Sequence, residues 1–129
     1  MSLAYVDSSC LIAVAFGEKK GTAVRRATSR REHLFSANLL EAELRSALAR
    51  EGVPWSDRLV APIAWILPPR SLGAEMERAL KAGQLRGADL WHIACALYIR
   101  EELGQLIFLT LDERQRSVAG ALEFETPKL

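Results

Sequence analysis

The chain has 129 residues, half of them hydrophobic and 26% charged, which suits one folded domain and excludes a disordered segment. Its formal net charge of +1 argues against a uniformly basic nucleic-acid binder and against a polybasic membrane anchor. Two cysteines, Cys10 and Cys95, build neither a disulfide framework nor a Cys-rich zinc site, and a reducing cytosol is the expected compartment.

Leu3 to Val6 reads as a short buried strand ending at Asp7. Ser8 and Ser9 then cap an apolar helix from Cys10 to Phe16, because a serine oxygen can take up a free helix N–H. Gly21 to Arg31 reads as a polar, basic helix, and His33 to Ser36 as a second strand. Ala37 to Arg50 is a strong helix stopped by Gly52 and Pro54. Trp55 to Ala64 is expected to be a shorter helix, and Trp65 to Pro68 a third strand. Ser71 to Gly83 is helical. Asp89 to Leu103 is the longest apolar helix, so it belongs in the middle of the domain. Leu106 to Thr110 is the clearest buried strand, Asp112 to Ala121 is helical, and Leu122 to Thr126 is expected as a last edge strand. Strands and helices alternate throughout. That pattern predicts a single α/β domain over residues 1–129, a three-layer sandwich around a mostly parallel sheet. No apolar run approaches the roughly 20 residues of a membrane span, and the start lacks the basic and apolar regions of a signal peptide.

Only four aspartates occur, so their placement is informative: Asp7, Asp57, Asp89 and Asp112. Asp7 and Asp112 each follow a buried strand, where open parallel sheets build their sites. Asp89 opens the central helix. Asp57 follows no strand and reads as capping alone. Taken singly, each of the other three reads first as a plain helix N-cap, and it is the set that points to a site. Glu43 lies at the edge of the apolar stripe of its helix, whereas Glu41 points outward and can pair with Arg45 one turn on. An inward carboxylate is costly unless it is paired or metal-bound. Four such carboxylates on one edge would repel one another, and divalent oxygen-seeking cations would relieve the repulsion. Mg²⁺ or Mn²⁺ fits, since no His or Cys cluster accompanies the acids. The reaction class expected of that arrangement is phosphodiester hydrolysis.

Four segments carry a family resemblance: Asp7-Ser8-Ser9, Leu40-Glu41-Ala42-Glu43-Leu44-Arg45, Leu85-Arg86-Gly87-Ala88-Asp89-Leu90-Trp91-His92-Ile93-Ala94, and Leu109-Thr110-Leu111-Asp112-Glu113-Arg114. In this order and spacing they resemble the motifs of PIN-domain nucleases, closest to the VapC-type toxins of toxin–antitoxin pairs. The likeness runs from Val6 to about Thr126. It implies a metal-dependent endoribonuclease with Asp7, Glu43, Asp89 and Asp112 as the catalytic, metal-holding acids, Asp7 and Asp89 being the most direct ligands. Ser9 and Thr110 match positions where the family carries hydroxyls that orient the carboxylates or waters. The resemblance further implies a homodimer, and a cognate antitoxin that lays a peptide over the acidic cleft. Gly87 and Leu90 depart mildly from the commonest residues beside the third acid.

Arg86, three residues before Asp89, is placed to reach an RNA phosphate, or to form a structural ion pair. The cluster Arg25, Arg26, Arg30 and Arg31 reads as a solvated helix face. His92 is expected to be buried and hydrogen-bonded, and both cysteines to be buried thiols. Trp55 and Trp65 fit either the core or a partner surface. Two other classes share these features. One is a non-catalytic PIN-like module that binds RNA or protein, which usually comes with lost carboxylates. The other is a receiver-like Mg²⁺-binding signalling domain, which needs a lysine after a suitable strand, and none of Lys19, Lys20, Lys81 and Lys128 is so placed.

Overall fold

A computed structural model describes residues 2–129. The chain runs β1 (Leu3–Val6), α1 (Ser8–Ala15), α2 (Gly21–Ser29), β2 (His33–Ala37), α3 (Leu39–Arg50), a 3₁₀ turn (Asp57–Leu59), β3 (Ile63–Ile66), α4 (Gly73–Ala82), α5 (Gly87–Leu103), β4 (Ile107–Leu109) and α6 (Glu113–Ala121). The strands form one parallel sheet in the order β3-β2-β1-β4. With β1 and β2 inside, the sheet has an apolar layer on each face.

The period of two in β1 sorts its side chains between those layers. Leu3 and Tyr5 point into a core made with Ile93, Ala94 and Leu97 of α5, Ala79 of α4 and Val118 of α6. Ala4 and Val6 point into a second core with Cys10 and Leu11 of α1, Val24 of α2, and Leu40, Leu44 and Leu48 of α3. All four β1 residues are buried, as a strand covered on both faces must be. The expected three-layer α/β sandwich is therefore present, with an all-parallel sheet. Where α2 begins, a Cβ on Gly21 would meet the Ala13 carbonyl oxygen at 2.9 Å, so only glycine lets it come so close to α1.

Four local expectations change. The cap of α1 is Asp7, not Ser8 or Ser9: its side chain accepts from the Cys10 N–H. The expected helix from Trp55 to Ala64 is reduced to the 3₁₀ turn, and β3 begins at Ile63, two residues before the expected Trp65, so Leu67 and Pro68 lie beyond the strand. Pro62 removes a helix donor at that point, which favours extended chain. Leu122 to Thr126 is no strand. Glu123 sits at φ 69°, a left-handed turn that breaks the extended run and leaves a single parallel bridge from Glu125 to Ile107. Finally, α5 starts at Gly87 with Arg86 at its cap position, so Asp89 belongs to the first helical turn and is not the N-cap.

Candidate active site at the carboxyl edge of the sheet

Neighbouring parallel strands end side by side, so whatever follows β1 meets whatever follows β4. Asp7 follows β1, and Thr110 follows β4. Asp7 is 2% exposed, and both its oxygens are held. Oδ1 accepts from Ser9 Oγ at 2.6 Å and from the Cys10 N–H at 3.4 Å, and Oδ2 accepts from Thr110 Oγ1 at 2.6 Å. The hydroxyls are tied in turn: Ser9 Oγ accepts from the Leu111 N–H at 2.9 Å, and Thr110 Oγ1 from the Asp112 N–H at 3.0 Å. Burial raises the Asp7 carboxyl above its ordinary value, and the hydrogen bonds from Ser9 and Thr110 offset part of that rise. Ser9 and Thr110 thus hold the Asp7 carboxylate from both sides.

Asp112 caps α6, accepting from the Gln115 N–H at 2.8 Å through Oδ1. Gln115 is fully buried and ties three pieces of the edge together. Its Nε2 donates to the Asp89 carbonyl at 3.2 Å, and its Oε1 lies 3.0 Å from Thr110 Oγ1. Asp89 is half-buried at the start of α5. Its carboxyl is raised first by burial and then by the negative charge of Asp112, with Glu43 adding to the rise and His92 and Arg86 opposing it. Asp89 and Asp112 line one cavity of about 250 Å³, and Arg86 and Arg114 complete its wall.

Glu43 rises from α3, which follows β2. Its Oε1 is 2.6 Å from His92 Nε2. His92 is 1% exposed, and its other ring nitrogen, Nδ1, lies 2.6 Å from the Tyr5 hydroxyl. The same hydroxyl oxygen accepts from the Ala37 N–H at 3.1 Å. His92 is buried and hydrogen-bonded, as expected.

All four candidate acids therefore stand at the carboxyl edge of the sheet. Asp89 and Asp112 share a cavity, Glu43 contributes to the potential at Asp89, and Asp7 lies within the electrostatic reach of His92. Among the described residues, no three His, Cys, Asp or Glu side chains are spaced to grip one ion as they stand. Glu43 is drawn onto His92, and Asp112 has one oxygen engaged in the cap of α6.

The residues set aside in the sequence also find places. Glu41 pairs with Arg45 at 2.8 Å, and the Arg45 guanidinium lies 3.9 Å from the centroid of the half-buried Trp55 ring. Asp57 accepts from Trp55 Nε1 at 2.8 Å, while Ser56 caps the 3₁₀ turn. Trp65 lines an open groove beside the exposed Leu67. Arg25, Arg26 and Arg30 are exposed on or beside α2, and both cysteines are buried. Arg114 and Gln115 are the residues that sequence reasoning passed over. Gln115 carries a legible signal, since Asp112-x-x-Gln115 is a capping-box spacing.

Residues 4–121 match the family described as PIN domain. The chain belongs to the PIN domain family. PIN domains are generally nucleases that need divalent metals, so the chain's coarse class is a nuclease, a hydrolase. No curated protein matches the sequence. The donor set of this PIN domain fits such a cation. It offers carboxylate oxygens alone, the hard ligands that Mg²⁺ and Mn²⁺ prefer; Asp89 is raised first by burial and then by the charge of Asp112, and a divalent charge relieves that second contribution. No helix of the described residues is long and apolar enough to cross a membrane.

Proposed function

We propose that this PIN domain is a metal-dependent endoribonuclease, with Asp7, Glu43, Asp89 and Asp112 as its metal-holding, catalytic acids. The observation that carries the reading is the shared cavity of Asp89 and Asp112, in which two carboxylates repel each other between two arginines. Carboxylates suit a cation and guanidinium groups suit phosphate oxygens, so the wall matches a phosphodiester whose charge is shared between them. Bound among these acids, Mg²⁺ or Mn²⁺ would supply Lewis-acid activation of water and of the scissile phosphate.

The chain's own residues do the rest. Ser9 and Thr110 fix both oxygens of Asp7. Arg86 and Arg114 hold the substrate backbone against the acidic wall. Gln115 holds the first turn of α5 to α6, and so sets the separation of Asp89 from Asp112. The 129 residues work as one domain, as a cytoplasmic homodimer, and as the toxin of a toxin–antitoxin pair whose antitoxin covers the acidic cleft. The sequence likeness to VapC-type toxins supports that biological setting, and two buried, unpaired thiols suit a reducing compartment.

The test is cleavage of RNA by the purified protein. Cleavage is expected with Mg²⁺ or Mn²⁺, none with a chelator, and none from Asp7→Asn or Asp89→Asn proteins that still fold. Parental cleavage by the Asn variants would remove the catalytic assignment. A metal-dependent strand break in DNA but not in RNA would remove the substrate class.

A further inference from the structure

Tyr5 of β1, the end of β2 at Ala37, His92 of α5 and Glu43 of α3 form a single hydrogen-bonded chain from the middle of the core to the acidic edge. Its polarity can be read from one end. The Ala37 N–H can only donate, so the Tyr5 oxygen accepts at 3.1 Å. The hydroxyl is buried and must place its own proton, and among the described residues His92 Nδ1, 2.6 Å away, is the one hydrogen-bonded partner able to accept it. With its Nδ1 lone pair occupied, the imidazole carries its hydrogen on Nε2, and that N–H points at Glu43 Oε1, 2.6 Å away. Glu43 accepts at Oε1 only: among the described residues no donor reaches Oε2. The Glu43 side chain is 25% exposed, against 1% for His92, so the chain of donors runs from the buried core to a partly exposed carboxylate.

Core packing alone does not call for this arrangement. An apolar side chain at position 92 would fill the space between α5 and the sheet without the cost of burying a polar ring. An imidazole here instead couples the deepest hydroxyl of the sheet to a carboxylate on a different helix.

We propose that His92 is a positioning residue for Glu43: its Nε2–H, locked in that tautomer by the Tyr5 hydroxyl, fixes Oε1 so that Oε2 faces the divalent cation. This rests on the metal-dependent reading given above. A carboxylate free to rotate would have to be ordered each time a cation bound. Groups that orient ligating carboxylates in this way are typically worth about 10–100-fold in metal affinity.

Two substitutions split positioning from packing. His92→Asn keeps an acceptor near the Nδ1 position for the Tyr5 hydroxyl, but its amide is too short to reach Glu43. His92→Gln places a donor near the Nε2 position and gives up the Tyr5 contact. Mn²⁺ binding to the RNA-free proteins, followed by calorimetry, is expected to weaken about 10–100-fold in His92→Asn and to be largely restored in His92→Gln. Near-ultraviolet circular dichroism checks that each variant is folded. Nitrogen-15 NMR of the metal-free parent supplies a reading that needs no variant. It is expected to show His92 as the Nε2–H tautomer, with a strongly deshielded Nε2 proton that moves in Glu43→Gln. Parental Mn²⁺ affinity in folded His92→Asn, or an Nδ1–H tautomer in the parent, overturns the proposal while leaving the nuclease reading intact. A parent that neither binds Mn²⁺ nor cleaves RNA removes the nuclease reading and this proposal with it.

Discussion

Thr110 Oγ1 donates to Asp7 Oδ2 across 2.6 Å of space and 103 residues of sequence, and this bond laces the end of β4 to the end of β1. The same hydroxyl oxygen is 3.0 Å from Gln115 Oε1, a second acceptor that its one proton can serve instead. Asp7→Asn is therefore expected to fold. Its new amide donates to Thr110 Oγ1, Thr110 turns its proton to Gln115, and Ser9 still donates to Oδ1. Removing a buried charge whose ionised form is disfavoured also makes the metal-free variant at least as stable as the parent at neutral pH. Thermal unfolding checks both statements, and RNA cleavage by this folded variant is expected to be lost. A variant that is unfolded at neutral pH would contradict the hydrogen-bond switch.

The carboxyls of Asp7 and Asp89 are both raised in the folded protein, chiefly by burial and, for Asp89, by Asp112. A raised carboxyl makes the native state bind more protons than the unfolded state, so stability falls as pH rises through that interval. The metal-free protein is expected to melt at a lower temperature at pH 7 than at mildly acidic pH. Mn²⁺ should reverse the trend at pH 7 and do little at acid pH, where protons compete for the ligands. A free cation at 100 times its Kd adds about 2.7 kcal/mol. Scanning calorimetry at several pH values, with and without Mn²⁺, reads this directly. In Asp89→Asn both the acid stabilisation and the Mn²⁺ gain should shrink. A flat profile in the parent would show that these carboxyls are not raised.

Arg86 and Arg114 stand on the same cavity wall as Asp89 and Asp112. In the absence of substrate, Arg86 opposes the rise at Asp89. With RNA bound, each guanidinium is placed to neutralise a phosphate. Arg86→Ala and Arg114→Ala are each expected to weaken RNA binding and to flatten its dependence on log salt by about 0.7, the value for one phosphate contact on a single strand. Binding measured at several salt concentrations, using the cleavage-deficient Asp7→Asn background, separates this from any effect on chemistry. An unchanged slope in both variants would place the RNA backbone elsewhere.

Much of this edge was legible in the sequence because it depends on chain order. A residue directly after a buried parallel strand has to emerge at the carboxyl edge, so Asp7, Thr110 and Asp112 could be located without coordinates. Glu43 could be assigned to a stripe edge from helical period alone. What could not be read was partnership across the fold. The 2.6 Å contacts of His92 with Tyr5 and Glu43 span 87 and 49 residues, and depend on how α3 and α5 pack on the sheet. The N-caps were ambiguous for a chemical reason. Asp7, Ser8 and Ser9 are all good caps, and only the pull of Leu111 and Asp7 on the Ser9 hydroxyl decides among them. The missing fifth strand hinges on the single φ of Glu123, which composition does not signal.

Gln115 gives the most exacting test of how α5 and α6 set the acids. It is fully buried, its amide nitrogen donates to the Asp89 carbonyl, and its backbone N–H donates to Asp112 Oδ1. One residue thus touches the backbone of one acid and the side chain of another. Gln115→Leu keeps the bulk and the backbone bond but loses the amide, and it leaves polar neighbours short of a partner, so it should cost about 1–3 kcal/mol in urea unfolding. Gln115→Glu keeps the shape but sets a carboxylate beside Asp7 and Asp112 and removes the donor to Asp89. It is expected to be the less stable of the two at neutral pH and to recover at acid pH, when the new group is protonated. Mn²⁺ affinity should fall in Gln115→Leu more than its stability loss alone would cause, because the first turn of α5 is no longer tied to α6. If Gln115→Leu binds Mn²⁺ as tightly as the parent, the separation of Asp89 from Asp112 is set by the helices themselves and not by this side chain.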